Sequence, residues 1–220
     1  MSNKFSEVVI ISAARTPIGA YKGSLKDIKA DQLGSLVIKE VINRSGIDKK
    51  EVSEVIMGQV LTAGAGQNPA RQAAINAGLS QSIPAHLVNQ VCGSGLRSVI
   101  SGFQTLKLNE AKYVISGGQE NMSLAPHTLS YRDEKILSED RLIDTMIYDG
   151  LIDAFNNYHM GVTAENVANK YKISREEQDD FALKSQAKAQ ASIEQNRFNN
   201  EIVKVDLNNI VLDTDEHPRK

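Results

Sequence analysis

The sequence predicts an α/β fold in which a mainly parallel sheet carries helices on both faces. Short apolar runs rich in valine and isoleucine alternate along the chain with segments whose apolar residues recur at helical spacing. The connections between them are short, and strand–helix–strand alternation of this kind is typical of parallel sheets. One longer stretch, residues 119–157, interrupts the alternation and predicts an inserted loop domain.

The first strand and the first helix follow from the amino-terminal residues. Glu7–Ser12 reads EVVIIS, an apolar and β-branched run that predicts a buried strand. Ala30–Ser45 carries its leucines, valines and isoleucines at helical offsets, and Gly46 follows at a position where glycine commonly ends a helix.

The next elements complete the alternation. Glu54–Leu61 predicts a second strand. Asn68 and Pro69 predict the start of a helix that stops at Gly78, because asparagine caps helices well and proline is favoured in the first turn. The remaining predicted elements are a strand at His86–Val91, a helix at Leu96–Leu108 and a strand at Tyr113–Gly118.

The rest of the chain departs from this rhythm. Residues 119–157 are mixed in polarity and have no clear period, which favours a functional or oligomer-forming insertion over a part of the sheet. Helices are predicted at Thr163–Tyr171 and Ser174–Asn196, the second opened by a capping box, and residues 201–207 and 210–211 predict a final strand or hairpin. We divide the chain into an α/β core at 1–118, a loop domain at 119–200 and a return strand at 201–220.

Composition excludes several classes of protein. The 220 residues carry 25 basic and 27 acidic side chains, a net charge of −2, which argues against binding to nucleic acid or to a membrane surface. A single cysteine excludes an intrachain disulfide and a Cys-rich zinc site, and we expect no metal. The amino terminus lacks the features of a signal peptide, and no apolar run approaches the ~18 residues of a spanning helix. We expect a cytoplasmic protein.

The most informative segment is VNQVCGSGLRSV, residues 88–99, in which a predicted strand runs straight into a predicted helix. Cys92 lies at that corner. The N–H groups and dipole of a helix N-terminus stabilise a thiolate, and the backbone N–H of Cys92 can donate to a developing oxyanion. Gly93 and Gly95 leave room for a thioester to approach. A nucleophile and a structural cysteine at a tight turn both fit this pattern.

The same segment resembles the active-site segment of thiolases. Four other stretches match that family in the same order: SAARTPIGAYKGSL near the start, GAGQNPARQAA at 64–74, SGGQENMSLAPH at 116–127 and HMGVTAENVANKY at 159–171. The five motifs together extend over nearly the whole chain. The HMG form at 159–161 is most similar to the short-chain acetyl-CoA acetyltransferases within the family.

The resemblance implies a role for particular residues. Cys92 would be the catalytic residue and would be acetylated to a thioester. His159 and Met160 would lie beside the acyl and pantetheine groups of the bound substrate, and Leu151 would contact the CoA chain. Without the HMG context, His159 would be interpreted as a structural histidine that bonds a backbone carbonyl.

The resemblance also implies a reaction and its partners. Two acetyl-CoA would be converted into acetoacetyl-CoA and CoA, or the reverse, by a ping-pong route through acetyl-Cys92. CoA thioesters would be substrates, and no cofactor is implied. The family further implies a homo-oligomer, a dimer formed by the core or a tetramer formed through residues 119–157.

The sequence departs from the family in one respect. A complete thiolase is roughly twice as long, beyond the size of a single core, and its second half supplies an asparagine, a Gly-His-Pro segment and a second cysteine. Neither a Gly-His-Pro segment nor a second cysteine occurs in these 220 residues. None of the four histidines stands in a matching context: His86, His127, His159 and His217. The resemblance therefore predicts an incomplete enzyme. Two alternatives remain: a non-catalytic fragment that acts only in oligomer formation, and a related ketoacyl synthase.

Overall fold

The computed structural model describes residues 7–129, 142–207 and 210–219. Its centre is a parallel sheet formed by three strands, β1 (Val52–Gly58), β2 (Ala85–Val88) and β3 (Tyr113–Gly118). β1 lies in the middle and pairs in parallel with both neighbours. Gly58 lies opposite Val88 on one side and Gly118 on the other, so the three strands end together at one edge. The predicted parallel sheet is confirmed.

Helices cover both faces of this sheet. α1 (Ala30–Ser45) and α2 (Pro69–Asn76) pack against each other on one face, where they enclose an apolar core with Val55 and Met57 of β1. α3 (Ser94–Lys107) packs against β1 and β3 on the other face. Each fully buried aliphatic side chain in such a core contributes about 1.5–3 kcal/mol relative to an exposed one.

Capping groups fix the ends of α1 and α2 at the residues that the sequence predicts. Gly46 follows α1 with a φ of 68°, a left-handed conformation that suits glycine, and its N–H bonds the carbonyl of Ile42. The Asn68 side chain accepts a hydrogen bond from the N–H of Arg71 at the start of α2, and Pro69 is the first helical residue.

The strand predicted at Glu7–Ser12 is wrong. These residues form no strand, and Ile10 in the middle of the run is 81% exposed. The segment instead lines a cavity of about 730 Å³ whose other walls include α1, α3 and β3. β1 already has a parallel partner on each side, and both backbone groups of Arg15 bond residues 201 and 203 rather than the sheet. An apolar β-branched run predicts a buried strand only where a partner pairs with it, and this run is neither paired nor fully buried.

The chain beyond β3 forms short strand pairs and longer helices. In order, they are β4 (His127–Thr128), β5 (Ile143–Asp144), α4 (Thr145–Gly150), α5 (Met160–Tyr171), α6 (Arg175–Glu194), β6 (Val205–Asp206) and β7 (Val211–Leu212). β4 pairs antiparallel with β5, and β6 pairs antiparallel with β7. Of the two forms predicted for residues 201–211, a strand or a hairpin, the structure has the hairpin. Ser174 and Glu177 form the predicted capping box before α6. Among the described residues, no helix has the length and apolar character needed to cross a membrane.

The predicted insertion at 119–157 is described only in part, because residues 130–141 lie outside the described ranges. Its described residues contain β4, β5 and α4, together with a single 3₁₀ turn at Met122–Leu124. The division of the chain at residues 118 and 200 stays a prediction.

The end of the described chain packs back onto its beginning. The Arg15 guanidinium donates hydrogen bonds of 2.6 and 2.9 Å to the Asp215 carboxylate and one of 2.6 Å to Glu201. Glu216 accepts hydrogen bonds from backbone N–H groups within residues 20–24. Carboxylates of residues 201, 215 and 216 therefore connect the tail, residues 210–219, and the return segment to residues 15–24 by hydrogen bonds.

Candidate active site

Cys92 lies at the corner that the sequence predicts. β2 ends at Val88, α3 begins at Ser94, and Gly93 is the residue that caps α3 without a side-chain hydrogen bond. Cys92 comes directly before this cap and is exposed. Cys92 is therefore next to the N-terminal end of α3, and helix N-termini favour anions.

The backbone of the corner is a tight turn. The N–H of Gly93 bonds the carbonyl of Gln90 at 3.0 Å, and the N–H of Ser94 bonds the carbonyl of Val91 at 3.1 Å. Within residues 7–129, the N–H of Cys92 has no acceptor. This N–H can therefore donate to a substrate oxygen that lies next to the sulfur, as in an oxyanion hole.

Glycines let the start of α3 approach the ends of the strands. A Cβ on Gly58 would meet the backbone of Ser94 and Gly95, and a Cβ on Gly118 would lie 3.3 Å from the Cα of Gly95. One turn later, the buried Ser98 hydroxyl donates a 2.7 Å hydrogen bond to the carbonyl of Gly117. The first two turns of α3 are therefore held directly on the carboxyl edge of the sheet.

Three polar side chains at the same edge were not singled out from the sequence. Gln59 and Gln119 are buried and joined by a 2.9 Å hydrogen bond. Glu120 Oε2 accepts hydrogen bonds from the N–H groups of Val60 and Leu61. Burial raises the pKa of the Glu120 carboxyl above its ordinary value, although these two hydrogen bonds act to lower it. Their position in the sequence could have identified them. Each of the three follows a strand, at the edge where parallel sheets place functional side chains.

The three predicted CoA-contacting residues come together in one loop. The N–H of Met160 bonds the carbonyl of Leu151 at 2.8 Å, and His159 forms a backbone bridge with Ile152. His159 caps α5, because its Nδ1 accepts a 3.0 Å hydrogen bond from the N–H of Gly161. With Nδ1 as acceptor, the neutral imidazole carries its proton on Nε2, and the side chain is exposed.

The relation of this loop to the thiol stays a prediction. Among the described residues, no hydrogen bond joins residues 151–161 to residues 88–95. The structural alternative for His159 was a bond to a backbone carbonyl, whereas its ring accepts a backbone N–H as a helix cap. In the described part of the chain, Nε2 makes no hydrogen bond.

Two other histidines contact carboxylates. His86 Nδ1 lies 3.2 Å from Glu54, and His127 Nε2 lies 3.9 Å from Asp144. Neither contact involves Cys92. Within the described ranges, therefore, neither of them is arranged as a base for the thiol.

Comparison with known proteins decides the family. A profile described as the thiolase N-terminal domain matches residues 8–220. The chain belongs to the thiolase family. It is 52% identical over 218 residues to an acetyl-CoA acetyltransferase of Paracoccus denitrificans, and 53% identical over 218 residues to a probable acetyl-CoA acetyltransferase of Escherichia coli. Each of these matches covers 97% of this chain.

A third relative, an acetyl-CoA acetyltransferase of Cupriavidus necator, is 55% identical over 201 residues, or 91% of this chain. The chain spans about half the length of these curated relatives, 56% of the first two and 51% of the third. It matches the amino-terminal half of the family, as the sequence predicts.

Proposed function

We propose that this thiolase chain supplies the nucleophile of an acyltransferase that forms or cleaves acetoacetyl-CoA. The observation that carries the proposal is the exposed Cys92 at the start of α3, beside a backbone N–H that has no acceptor among the described residues. The names of the relatives support acetyl-CoA as a substrate and an acetyl group as the group transferred. Acetoacetyl-CoA and CoA are the products that the proposed reaction requires.

The first half-reaction is acetyl transfer to the thiol. The Cys92 thiolate attacks the thioester carbonyl of acetyl-CoA, and the oxyanion that forms accepts a hydrogen bond from the N–H of Cys92. The intermediate then collapses, the C–S bond to CoA breaks, and the CoA thiolate leaves and takes up a proton. Cys92 is left as an acetyl thioester.

The second half-reaction makes the new carbon–carbon bond. A base removes a proton from the methyl group of a second acetyl-CoA, and the carbanion attacks the acetyl-Cys92 carbonyl. The Cys92 thiolate then leaves as acetoacetyl-CoA forms. Among the described residues, His86 and His127 lie against carboxylates and His159 caps α5, so we assign none of these three as the base. We propose that the base belongs to the half of a thiolase that the relatives have beyond the match, as the family resemblance implies.

The loop formed by Leu151, His159 and Met160 is the proposed contact for the acyl end of CoA. Leu151 and Met160 offer apolar surface to the pantetheine chain, and the Nε2–H of His159 offers a donor to a thioester or amide oxygen. CoA esters are substrates in this scheme, and neither a metal nor a cofactor is invoked.

A second candidate function follows from the outer face of α3. Leu96 and Ile100 lie on this face and are 68% and 40% exposed. Val99 and Phe103 follow the same helical spacing, are partly exposed and also line the cavity described above. Exposed apolar faces of this kind mark interaction surfaces. A chain that associates through this face, as part of a homodimer or homotetramer, would act in assembly without catalysing a reaction by itself.

A complementation assay separates the two functions. Residues 1–220 are assayed for thiolysis of acetoacetyl-CoA, alone and mixed with the part of the Paracoccus relative that lies beyond the match. We expect negligible turnover alone, because a missing oxyanion donor costs about 10²–10³ in rate and a missing base about 10²–10⁴. Turnover that appears on mixing and is lost with Cys92→Ala supports catalysis. Stable association without turnover supports a role in assembly only.

A further inference from the structure

The residue before the nucleophile is held in a strained conformation. Val91 has a φ of 50°, in the left-handed region where a β-branched side chain is a rare outlier. Its side chain is exposed, so burial does not compensate for the strain. Strained backbone of this kind persists only where surrounding contacts hold it.

The Ser94 hydroxyl supplies two of those contacts. Ser94 Oγ accepts a 2.9 Å hydrogen bond from the N–H of Gln90 and donates a 2.6 Å hydrogen bond to the carbonyl of Val91. The first bond fixes the residue before Val91, and the second fixes the carbonyl that joins Val91 to Cys92. Ser94 is only 4% exposed, so these hydrogen bonds do not compete with solvent.

A second side chain assists from the other end of the turn. Asn89 Oδ1 accepts a 2.9 Å hydrogen bond from the N–H of Val91. Asn89 is exposed, whereas Ser94 is part of α3 and therefore moves with the helix. Ser94 thus connects the strained peptide to the element whose dipole faces the thiol.

We propose that Ser94 is a positioning residue for Cys92. By bonding Gln90 and Val91, its hydroxyl holds the left-handed turn, and this turn keeps the thiol and the N–H of Cys92 at the N-terminal end of α3. The inference rests on the proposed function, because it assigns Ser94 a task in acyl transfer. The competing explanation is that Ser94 only stabilises the fold, as any buried serine on α3 would.

Ser98 provides the matched control for that explanation. It is a buried serine one turn further along α3, and its hydroxyl bonds the carbonyls of Gly95 and Gly117 rather than the corner. Ser98→Ala therefore removes a buried hydroxyl from the same helix and leaves the contacts of Val91 intact.

The test measures the rate of Cys92 alkylation by iodoacetamide against pH in the 220-residue chain, with thermal melting alongside. We expect Ser94→Ala, which removes both hydrogen bonds to the turn, to lower the alkylation rate about tenfold across the pH range. Ser98→Ala should lower the melting temperature and leave the profile where it is. Val91→Gly, which removes the left-handed strain, should restore much of the profile in the Ser94→Ala background.

Three results would overturn the proposal. The first is a Ser94→Ala profile that matches the wild type while melting falls as it does in Ser98→Ala. The second is an effect of Val91→Gly that is the same with and without Ser94. If Ser94→Ala does not fold, the single variant Val91→Gly is the test. Its rate of Cys92 alkylation against pH should match the wild type, because Ser94 still holds the turn. The third contradicting result is a large change in that rate, which would show that Ser94 does not hold the turn. A wild-type chain that is alkylated as expected but never acetylated by acetyl-CoA would refute the proposed function and leave the positioning result standing.

Discussion

At the scale of single residues, Nδ1 of His159 caps a helix, and Nε2 is the nitrogen that we propose to contact a substrate. Nδ1 caps α5 by accepting the N–H of Gly161, and this bond directs the remaining proton to Nε2 on an exposed ring. A helix cap and a substrate donor can therefore be removed separately, because asparagine is an excellent cap but lacks a donor at the position of Nε2.

This separation gives a test of the histidine. His159→Ala should lower the free energy of unfolding by about 1 kcal/mol through loss of the cap, whereas His159→Asn should keep the cap. Both variants should lower acetyl transfer from acetyl-CoA to Cys92 about tenfold if Nε2 contacts the thioester. Chemical denaturation and the rate of CoA release measure the two effects. Wild-type transfer by His159→Asn would show that the histidine is structural only.

The residues of the corner show where prediction from sequence stops. A strand followed by Cys-Gly-Ser-Gly predicts a turn into a helix, so the place of Cys92 could be foreseen. The left-handed φ of Val91 could not, because no local rule favours that conformation for valine and only the contacts of Ser94 and Asn89 support it.

At the scale of elements, the position of α3 depends on the glycines beneath its first turn. Gly58 leaves no space for a Cβ against Ser94, whereas a Cβ on Gly117 would lie 3.8 Å from Met57, an ordinary contact. The first turn of α3 is therefore placed by backbone contact with Gly58, in addition to the hydrogen bond from the Ser98 hydroxyl to Gly117.

Two alanine substitutions compare these glycines. Gly58→Ala should destabilise the fold by about 1–3 kcal/mol, because the added methyl group must push α3 away from the sheet. Gly117→Ala, in the neighbouring strand, should change stability by less than about 1 kcal/mol. Urea denaturation of both variants measures the difference. Equal stabilities would mean that α3 does not rest on Gly58.

The elements differ in how well the sequence predicts them. α1 ends where Gly46 caps it, and α2 and α6 begin where Asn68 and Ser174 cap them. These limits are predictable because caps are local signals. The Glu7–Ser12 strand failed because strand formation needs a partner that the local sequence does not name. Only the family resemblance predicted that Leu151, His159 and Met160 belong together. The loop is closed by backbone hydrogen bonds, and the spacing of apolar residues in the sequence does not predict such bonds.

At the scale of the whole molecule, the carboxylates of the tail hold the two ends of the chain together. Burial opposes ionisation of Asp215, but the hydrogen bonds from Arg15 and from the N–H of Ile18 outweigh it and lower the pKa of Asp215 below 3.8. Hydrogen bonds from Ser24 and from the N–H of Ala20 likewise lower the pKa of Glu216 below 4.5.

These shifts predict a loss of stability in acid. A carboxylate whose pKa is lower in the folded chain stabilises the fold fully above its unfolded value, and this stabilisation is lost as the pH falls through the folded value. Urea midpoints measured from pH 7 to pH 3 should therefore fall below about pH 4.5 in the wild type.

Two variants of the tail isolate this contribution. Asp215→Asn should be less stable at pH 7 and less sensitive to acid than the wild type, because it lacks the group that titrates. Asp213→Asn, which removes a surface ion pair with Lys204 and keeps an oxygen that can accept the 3.3 Å hydrogen bond from Thr214, should keep the wild-type acid response. The raised pKa of Glu120 has the opposite effect on stability as the pH falls. The wild type and both variants contain Glu120, so its effect cancels when they are compared with one another. An unchanged acid response in Asp215→Asn would contradict the role of Asp215 in holding the ends together.

The account as a whole depends on Cys92 being the residue that accepts the acetyl group. Residues 1–220 are incubated with acetyl-CoA, and the peptides are mapped by mass spectrometry, with Cys92→Ala as the control. We predict an acetyl thioester on Cys92, released again by added CoA, with no sustained formation of acetoacetyl-CoA. An unmodified Cys92 under conditions in which iodoacetamide alkylates it readily would contradict the account.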